Sequence, residues 1–373
     1  MHGKDVRSKS LSVVHRDTVA LHPTDLDIAA GEFFSILGPT GAGKSSLLRA
    51  VGGFLTPTLG RVMIGGVDVT DLGPDRRPTV TIFSEPALFP RMSAIDNVAF
   101  GLEARGVPRS TRRTRAAELL DRVGLPGIGE RRPADLDAAE RSGVALARAL
   151  AVEPAVLLLD EWLAAVALDR RRDLRAALKT IRRDTGTTVL AIGDDHGEAL
   201  ALSDRVAVMN AGRIEQVDTP DRLYGRPSSA FVARFVGEQN VLPGRVAEVR
   251  GARVAVETAV GPVVATAPGR IAPGDAVEVM IRPERLLLDH DRRDGGLAEA
   301  DAEGWNHLRG DLVGRSVEGA TIAYDFALAD VHLRMHRPNL GRRELLIASL
   351  HALAVHADDA LAFPAAATGD GDG

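Results

Sequence analysis

The sequence predicts an α/β domain followed by a small all-β domain, and three observations support this. A glycine-rich loop stands between a hydrophobic strand and a helix close to residue 40. Predicted strands then alternate with helices as far as residue 240, which is typical of a mostly parallel, doubly wound sheet. Beyond residue 240, short strands alternate with Gly and Pro turns, as in a small OB-like barrel.

Residues 38–45 have the spacing of a phosphate-binding loop, which is a glycine, any four residues and then Gly-Lys-Ser. The apolar residues 33–37 before it predict a strand, and apolar residues recur at helical spacing after it. This strand–loop–helix order favours a nucleotide site over a chance glycine-rich turn. The residues expected to bind the nucleotide here are Gly38, Pro39, Thr40, Gly41, Ala42, Gly43, Lys44, Ser45 and Ser46.

The chemistry of phosphate binding explains why these residue types occur at this spacing. Glycines let the backbone approach phosphate oxygens closely and adopt positive φ angles. Successive amide groups then form a nest for an anion at the positive end of the following helix. Lys44 is expected to reach the β- and γ-phosphates, and the Ser45 hydroxyl is expected to bind Mg²⁺.

A second part of this site is predicted at residues 157–161, a hydrophobic strand that ends in Asp160 and Glu161. In a P-loop fold such a strand lies beside the phosphate loop, so Asp160 would hold Mg²⁺ through water. Glu161 would stand near the γ-phosphate and could polarise an attacking water molecule as the catalytic residue. The alternative is a strand followed by two solvated acids, but the phosphate loop upstream favours the functional interpretation.

The length of 373 residues predicts two domains. We predict a nucleotide-binding domain at 1–240, with a helical subdomain at about 88–153, and an all-β domain at 241–366. The Gly- and Asp-rich tail at 367–373 is expected to be disordered. Within the subdomain, a helix is predicted at 138–151, and the Arg-rich stretch 109–115 indicates a solvated helix face more than a phosphate site.

Composition narrows the class of protein. No uncharged apolar run reaches the length of a membrane span, and the first residues have no apolar signal core, so secretion is not expected. The absence of cysteine excludes disulfides and thiolate metal sites and fits a reducing cytoplasm. A net charge of −5 and an aromatic content of only 4% argue against a nucleic-acid partner.

With both nucleotide motifs in place, the chain resembles the ATP-binding subunits of ABC importers over nearly its whole length. It is most similar to the subunits that serve polyamine (spermidine/putrescine) uptake. Further similar segments are residues 85–102, 203–210, 212–216, 231–240 and 281–284. The resemblance implies a P-loop, RecA-like ABC ATPase domain with a helical subdomain, followed by the OB-like TOBE domain that such importers carry.

The same resemblance implies ATP and Mg²⁺ as cofactors and a set of partners. The subunit would sit peripherally on the cytoplasmic face of the cell membrane, docked on permease subunits. It would pair with a second ATP-binding subunit, identical or different, and an extracytoplasmic solute-binding protein would supply the solute indirectly. Residues 85–102 are similar to the segment by which these subunits meet the permease.

The chain departs from the family at positions that bind the base or the γ-phosphate. The family places an aromatic ring under adenine, and the matching residue is His15, which can still stack but more weakly. The glutamine of the Q-loop is matched by Ser84, which is too short to reach the metal. The signature Leu-Ser-Gly-Gly-Gln becomes Leu-Asp-Ala-Ala-Glu at 136–140, so Asp137 and Glu140 would present negative charge to a phosphate.

Two further loops depart from the family in the same region. The D-loop Ser-Ala-Leu-Asp becomes Ala-Ala-Val-Ala at 164–167 and loses its aspartate. The histidine of the H-loop is matched by Asp194, although a shift in register could instead bring in His196. Trp162 replaces the usual proline after Glu161, and simple packing is the only role that the sequence suggests for it.

These features leave two hypotheses about activity. In the first, the chain is a working transport ATPase that couples MgATP hydrolysis to solute import. In the second, it binds nucleotide but hydrolyses little or none, and it acts as a regulatory or structural subunit. The departures predict impaired hydrolysis, because loss of one positioned charge stabiliser typically lowers a rate by about 10²–10³-fold. A soluble cassette protein acting on ribosomes or DNA repair is disfavoured by the single cassette and the lack of basic excess.

Overall fold

The computed structural model describes residues 3–289, 304–341, 345 and 348–365. The chain divides into two compact units between Pro220 and Asp221, whereas the sequence predicted the boundary at 240. The stretch between these two positions therefore groups with the β domain. Packing within the second unit gives the reason, because Ala233 lies in one small core with Met280 and Phe363. The predicted disordered tail at 367–373 lies outside the described residues.

The first unit combines two β-sheets with a set of α-helices. Its strands are β1 (Val6–His15), β2 (Thr18–Ile28), β3 (Phe33–Leu37), β4 (Leu59–Ile64), β5 (Val67–Asp68), β6 (Thr79–Ile82), β7 (Val156–Asp160), β8 (Thr188–Gly193), β9 (Arg205–Asn210) and β10 (Arg213–Asp218). Its helices are α1 (Lys44–Gly52), α2 (Ala94–Ala104), α3 (Arg109–Arg122), α4 (Ala138–Ala151), α5 (Leu168–Thr185) and α6 (His196–Leu202).

The main sheet has the strand order β10-β9-β3-β8-β7-β6, and its strands run parallel except for β10. Strands β3 and β7 are buried along their whole length, which is why both are apolar except for Ser35 in β3 and the terminal Asp160 in β7. The predicted α/β fold with a mostly parallel sheet is confirmed. Strand β8 lies between β3 and β7, so one strand separates the strand ending in Asp160 from the strand before the phosphate loop.

A smaller antiparallel sheet with the order β2-β1-β4-β5 accompanies the main one. Strands β4 and β5 form a hairpin whose turn contains Gly65 and Gly66, and both glycines have positive φ angles. Leu11 of β1, Ile36 of β3 and Leu47 of α1 belong to one buried core, so this sheet packs over the helix that follows the phosphate loop.

The stretch between β6 and β7 is helical, and α4 has the bounds that the sequence predicted. The apolar faces of α2, α3 and α4 share a core with residues of β7 and α5. The Arg-rich stretch lies in α3, where Arg112 pairs with Glu103 and Arg113 pairs with Asp96 and Glu130. This is the ion-paired, solvent-facing side of a helix that the sequence favoured.

The second unit opens with two short helices, α7 (Pro220–Gly225) and α8 (Ala230–Phe235). Its strands are β11 (Asn240–Arg250), β12 (Arg253–Thr258), β13 (Gly261–Thr266), β14 (Ala276–Ile281), β15 (Leu287–Leu288), β16 (Trp305–Glu318), β17 (Thr321–Leu328), β18 (Val331–Pro338), β19 (Leu350–His356) and β20 (Ala360–Pro364). Strands β16 and β17 are joined by a turn in which Gly319 has a φ of 71°.

Five of these strands close into a barrel with the order β11-β12-β13-β20-β14. A five-stranded barrel is the architecture of the OB-fold, so the predicted OB-like, all-β domain is confirmed. The remaining strands form a second sheet with the order β15-β19-β16-β17-β18. No helix in the described part of the chain is long and apolar enough to span a membrane.

Candidate nucleotide-binding site

The phosphate loop joins the end of β3 to the start of α1. Gly43, immediately before α1, has a φ of 98°, and a Cβ atom there would lie 2.4 Å from the Ala20 carbonyl oxygen. Gly38 is equally constrained, since a Cβ atom there would lie 2.4 Å from the Met209 carbonyl oxygen. Both positions therefore require glycine for steric reasons, and Gly43 requires it also for its positive φ angle.

The N-terminus of α1 has no side-chain cap. The first amide groups of a helix have no acceptor within the helix, so an uncapped N-terminus offers donors and a positive dipole to an anion. Ser45 and Ser46 lie in this first turn, while Thr40 and Gly41 are exposed at the tip of the loop. The local geometry thus fits a phosphate group.

Lys44 is the first residue of α1, and its side chain is only 6% exposed. The ammonium group Nζ donates to the carbonyl oxygens of Gly38 at 2.5 Å and Pro39 at 3.1 Å. Burial lowers the pKa of Lys44, and the carboxylates of Glu161, Asp194 and Asp160 oppose that shift. A cation is therefore held within the loop, with three acidic groups close enough to influence it.

Asp160 ends strand β7 and is 7% exposed. Burial raises the pKa of its carboxyl group, whereas Arg49 and Lys44, both on α1, lower it. Although β8 separates β7 from β3, the start of α1 thus brings Lys44 into electrostatic reach of Asp160. The partly desolvated Asp160 carboxylate and the Ser45 hydroxyl of α1 are both oxygen ligands, the kind that Mg²⁺ prefers.

Glu161 follows Asp160 at the end of the same strand. Its φ of 47° lies in the left-handed region, which is uncommon for a residue with a side chain. Its backbone N–H donates to the Ile192 carbonyl oxygen of β8 at 3.1 Å. The strand end is therefore fixed by a neighbouring strand, and the Glu161 carboxylate stays within electrostatic range of Lys44.

His15 lies at the end of β1, at the turn to β2. Its ring nitrogen Nε2 is 3.3 Å from the Ser46 hydroxyl oxygen, so β1 carries the imidazole to the first turn of α1. The imidazole ring is exposed to solvent. The sheet topology therefore brings His15 next to the phosphate loop at 38–46, a proximity that spacing along the sequence does not predict.

The segment aligned with the family signature forms the N-terminus of α4, and side chains of that same segment cap it. Asp137 precedes α4, and its Oδ1 accepts from the Glu140 backbone N–H at 2.8 Å. In return Glu140 Oε2 accepts from the Asp137 backbone N–H at 2.8 Å, which completes a capping box. Arg131 Nη1 also binds Glu140 Oε1 at 2.6 Å. This N-terminus is capped by its own acids, whereas that of α1 is open.

Two further departures, Ser84 and Asp194, also take defined positions. Ser84 is exposed two residues after β6. Asp194 is exposed between β8 and α6, and its carboxylate influences Lys44. His196 is the first residue of α6, whereas the Asp194 carboxylate lies within electrostatic range of Lys44.

Two residues near this site carried no sequence signal. Arg171 on α5 donates to the Val166 carbonyl oxygen at 2.8 Å and to Asp195 Oδ2 at 2.9 Å, and so joins the loop after β7 to the loop after β8. Glu198 on α6 is partly buried close to Trp162. Both connect segments far apart in sequence, so only the folded chain reveals them.

Comparison with known proteins agrees with this geometry. The family model described as ABC transporter matches residues 21–164, which include the phosphate loop and the acids at the end of β7. The spermidine/putrescine import ATP-binding protein PotA of Acidothermus cellulolyticus is 43% identical over 77% of this chain and 76% of its own length. PotA of Lawsonia intracellularis is 39% identical over 87% of this chain and 86% of its own length.

The chain belongs to the family of ABC importer ATP-binding subunits. A solved structure agrees on the fold: the dimeric bacterial ABC transporter cassette MJ0796 is 28% identical, with a TM-score of 0.54. The match covers 58% of this chain and 98% of that cassette. A second structure of the same cassette, a dimer in a post-hydrolysis state bound to ADP and phosphate, matches equally well. The resemblance to polyamine import subunits drawn from the sequence is confirmed.

Proposed function

We propose that this ABC importer subunit binds MgATP at the phosphate loop and couples it to solute uptake, with weak intrinsic hydrolysis. The observation that carries the binding proposal is the uncapped N-terminus of α1 with the ammonium of Lys44 held in front of it. Lys44 would contact the β- and γ-phosphates, Ser45 and Asp160 would hold Mg²⁺, and His15 would stack on adenine. A bound Mg²⁺ would supply neutralisation of the phosphate charge.

The proposed solute is a polyamine or a related compound. This rests on the relatives, which are named as spermidine/putrescine import proteins and align with most of this chain. By the same reasoning the subunit sits peripherally on the cytoplasmic face of the membrane, bound to permease subunits. Its partner in the dimer is a second ATP-binding subunit, and MJ0796 supports this because that cassette was solved as a dimer.

Weak hydrolysis is proposed from the electrostatics of the γ-phosphate region. Asp194 adds a carboxylate on the side of Glu161 and Lys44, where the family has a histidine. At the N-terminus of α4, the carboxylates of Asp137 and Glu140 accept hydrogen bonds from the backbone N–H groups of Glu140 and Asp137. A phosphate approaching that end would meet negative charge instead of free amides, so neither loop would stabilise charge that develops during hydrolysis.

The same observations support one alternative, a subunit that binds nucleotide without turning it over and regulates or completes the transporter. Steady-state phosphate release from the purified chain, alone and with its permease, distinguishes the two. Slow release that Glu161→Gln abolishes supports weak catalysis. Release at the background rate supports the alternative, and ordinary turnover abolished by Glu161→Gln would refute weak hydrolysis.

Nucleotide binding is tested separately by titrating a fluorescent ATP analogue with Mg²⁺. Lys44→Ala is expected to raise Kd by about 10–100-fold, because a charge-assisted hydrogen bond contributes about 1.5–3 kcal/mol. Lys179→Ala is the matched control, since Lys179 is an exposed lysine on α5 away from the loop, and it should leave Kd unchanged. Equal affinity of Lys44→Ala and the parent would refute the site.

A further inference from the structure

Arg171 of α5 connects the loop after β7 to the loop after β8. Its side chain is 16% exposed, and each of its three guanidinium nitrogen atoms has an acceptor. Nε donates to the Val166 carbonyl oxygen at 2.8 Å, and Nη2 donates to the Ala164 carbonyl oxygen at 3.3 Å. Nη1 donates to Asp195 Oδ2 at 2.9 Å. A planar guanidinium holds such acceptors in fixed relative directions, which an ammonium group does not.

Asp195 passes this contact on to the loop after β8. Its second carboxylate oxygen, Oδ1, accepts from the Glu198 backbone N–H at 2.8 Å and caps α6. One oxygen of Asp195 is thus bound to α5 and the other to α6. Asp194 is the single residue between Gly193, where β8 ends, and Asp195. The backbone of Asp194 is therefore held from both sides.

The other two acceptors of Arg171 belong to the turn that follows Glu161. Within this turn the Ala164 N–H donates to the Glu161 carbonyl oxygen at 2.9 Å. The carbonyl oxygens of Ala164 and Val166 then accept from the guanidinium. One side chain therefore joins the turn after Glu161 to the loop after β8.

The position of Asp194 determines how much negative charge faces the phosphate loop. Its carboxylate lies within electrostatic range of Lys44, as does that of Glu161. Asp194, Glu161 and Arg171 also line one cavity of about 60 Å³. Like charges repel more strongly when they are closer, so a carboxylate held here opposes a γ-phosphate near Lys44 more than it opposes a diphosphate. The preference for ATP over ADP should therefore depend on how firmly Asp194 is held.

We propose that Arg171, by binding Asp195, holds the Asp194 carboxylate at the phosphate loop and thereby lowers the preference of this site for ATP over ADP. Arg171 is thus a positioning residue that acts through its neighbours. The effect on nucleotide preference rests on the proposed function, whereas the joining of the two loops does not. A purely structural role would have a different result, because general loosening of the site weakens the binding of both nucleotides.

The test titrates the full chain, with Mg²⁺, against a fluorescent non-hydrolysable ATP analogue and the matching ADP analogue. The measured quantity is the ratio of the Kd for the ADP analogue to the Kd for the ATP analogue. Asp194→Asn should raise this ratio about three- to fivefold, the size of a solvent-screened charge interaction. Arg171→Ala should raise it about two- to threefold, because the released carboxylate spends less time near Lys44. Loss of the positive charge alone would lower the ratio, so the direction of the change identifies the cause.

Matched variants separate positioning from charge and from general loosening. Arg171→Lys retains the charge but cannot hold three acceptors in the fixed directions of a guanidinium, so it should also raise the ratio. Arg171→Ala should add nothing in an Asp194→Asn background, because the carboxylate that it would release is absent there. Arg172→Ala removes an exposed arginine from the same helix and should leave the ratio unchanged. An unchanged or lowered ratio in either Arg171 variant, or a full rise in the Asp194→Asn background, would overturn the proposal.

Backbone hydrogen exchange without nucleotide tests the joining of the two loops by itself. The Ala164 N–H reports the turn after β7, and the Glu198 N–H, which is bound to Asp195, reports the N-terminus of α6. Arg171→Ala should speed both exchanges about three- to tenfold, the effect of one net hydrogen bond, and Arg172→Ala should speed neither. Faster exchange at only one of the two amides, or at neither, would refute the joint anchoring. A parent chain that binds neither analogue would refute the proposed function and leave the exchange result intact, whereas ordinary binding with an unchanged ratio would overturn the role of Arg171 alone.

Discussion

Removing the two carboxylates at the N-terminus of α4 is expected to favour ATP-dependent pairing of this chain with a second copy. The double variant Asp137→Ser with Glu140→Gln keeps the helix cap, because Ser-x-x-Gln also forms a capping box. The fold of α4 should therefore survive while its charge changes. The double variant therefore tests the effect of the two charges on pairing without removing the helix cap.

The magnitude follows from the contacts. Arg131 lies 2.6 Å from Glu140 and largely offsets its charge, so about one uncompensated negative charge remains on Asp137. A unit charge about 4 Å from a γ-phosphate charge costs about 4 kcal/mol at an effective dielectric near 20. Asp137 is exposed, so solvent screening reduces this to about 1–2 kcal/mol, or about 5–30-fold for each site in a dimer.

Sedimentation velocity with MgATP measures the effect, in a Glu161→Gln background so that turnover does not deplete the nucleotide. The association constant for the dimer of the double variant should rise by at least about 5–30-fold at low salt and by less at high salt. The control variant, Glu118→Gln with Asp121→Asn, removes the same two charges from the exposed side of α3 and should change nothing. No gain, or an equal gain in the control, would refute this account of the signature segment.

Two further predictions concern stability. Arg77→Ala should lower the free energy of unfolding of the first unit by about 3 kcal/mol in urea titration, because its buried guanidinium donates to the carbonyl oxygens of Thr70, Leu72, Ala50 and Val51. Arg77→Lys should recover little of this free energy, because an ammonium group cannot reproduce the several hydrogen bonds of the planar guanidinium. Full recovery would contradict that role. Asp160→Asn should stabilise the nucleotide-free fold at pH 7. Burial raises the pKa of Asp160, so ionisation disfavours the fold as pH rises from the ordinary value of 3.8 through the higher folded value. The increase in stability from Asp160→Asn should vanish below pH 3.8. An increase that persists there would contradict the ionisation of buried Asp160 as its cause.

The sequence by itself determined the fold class and the ligand chemistry of the phosphate loop. The spacing of Gly38, Gly43 and Lys44 is a local property, because a glycine-rich turn between a strand and a helix depends on residues adjacent in the chain. The buried strand ending in Asp160 and Glu161 was also visible, since a strand covered on both faces must be apolar throughout. Helix α4 was predicted with its bounds for the same reason, as its apolar spacing is local.

Only the tertiary structure decided how distant segments meet. Strand order and register set the insertion of β8 between β3 and β7, the approach of His15 to Ser46 and the position of Asp194 within electrostatic range of Lys44. The sequence showed acids in the signature segment, but the reciprocal hydrogen bonds of Asp137 and Glu140 are visible only in the folded structure. Trp162 and Glu198 meet at a cavity because two loops at the carboxyl end of one sheet converge there. Residue spacing predicts structures formed by residues close in sequence, such as turns and helices. Contacts between separate elements depend on how those elements pack in the folded chain.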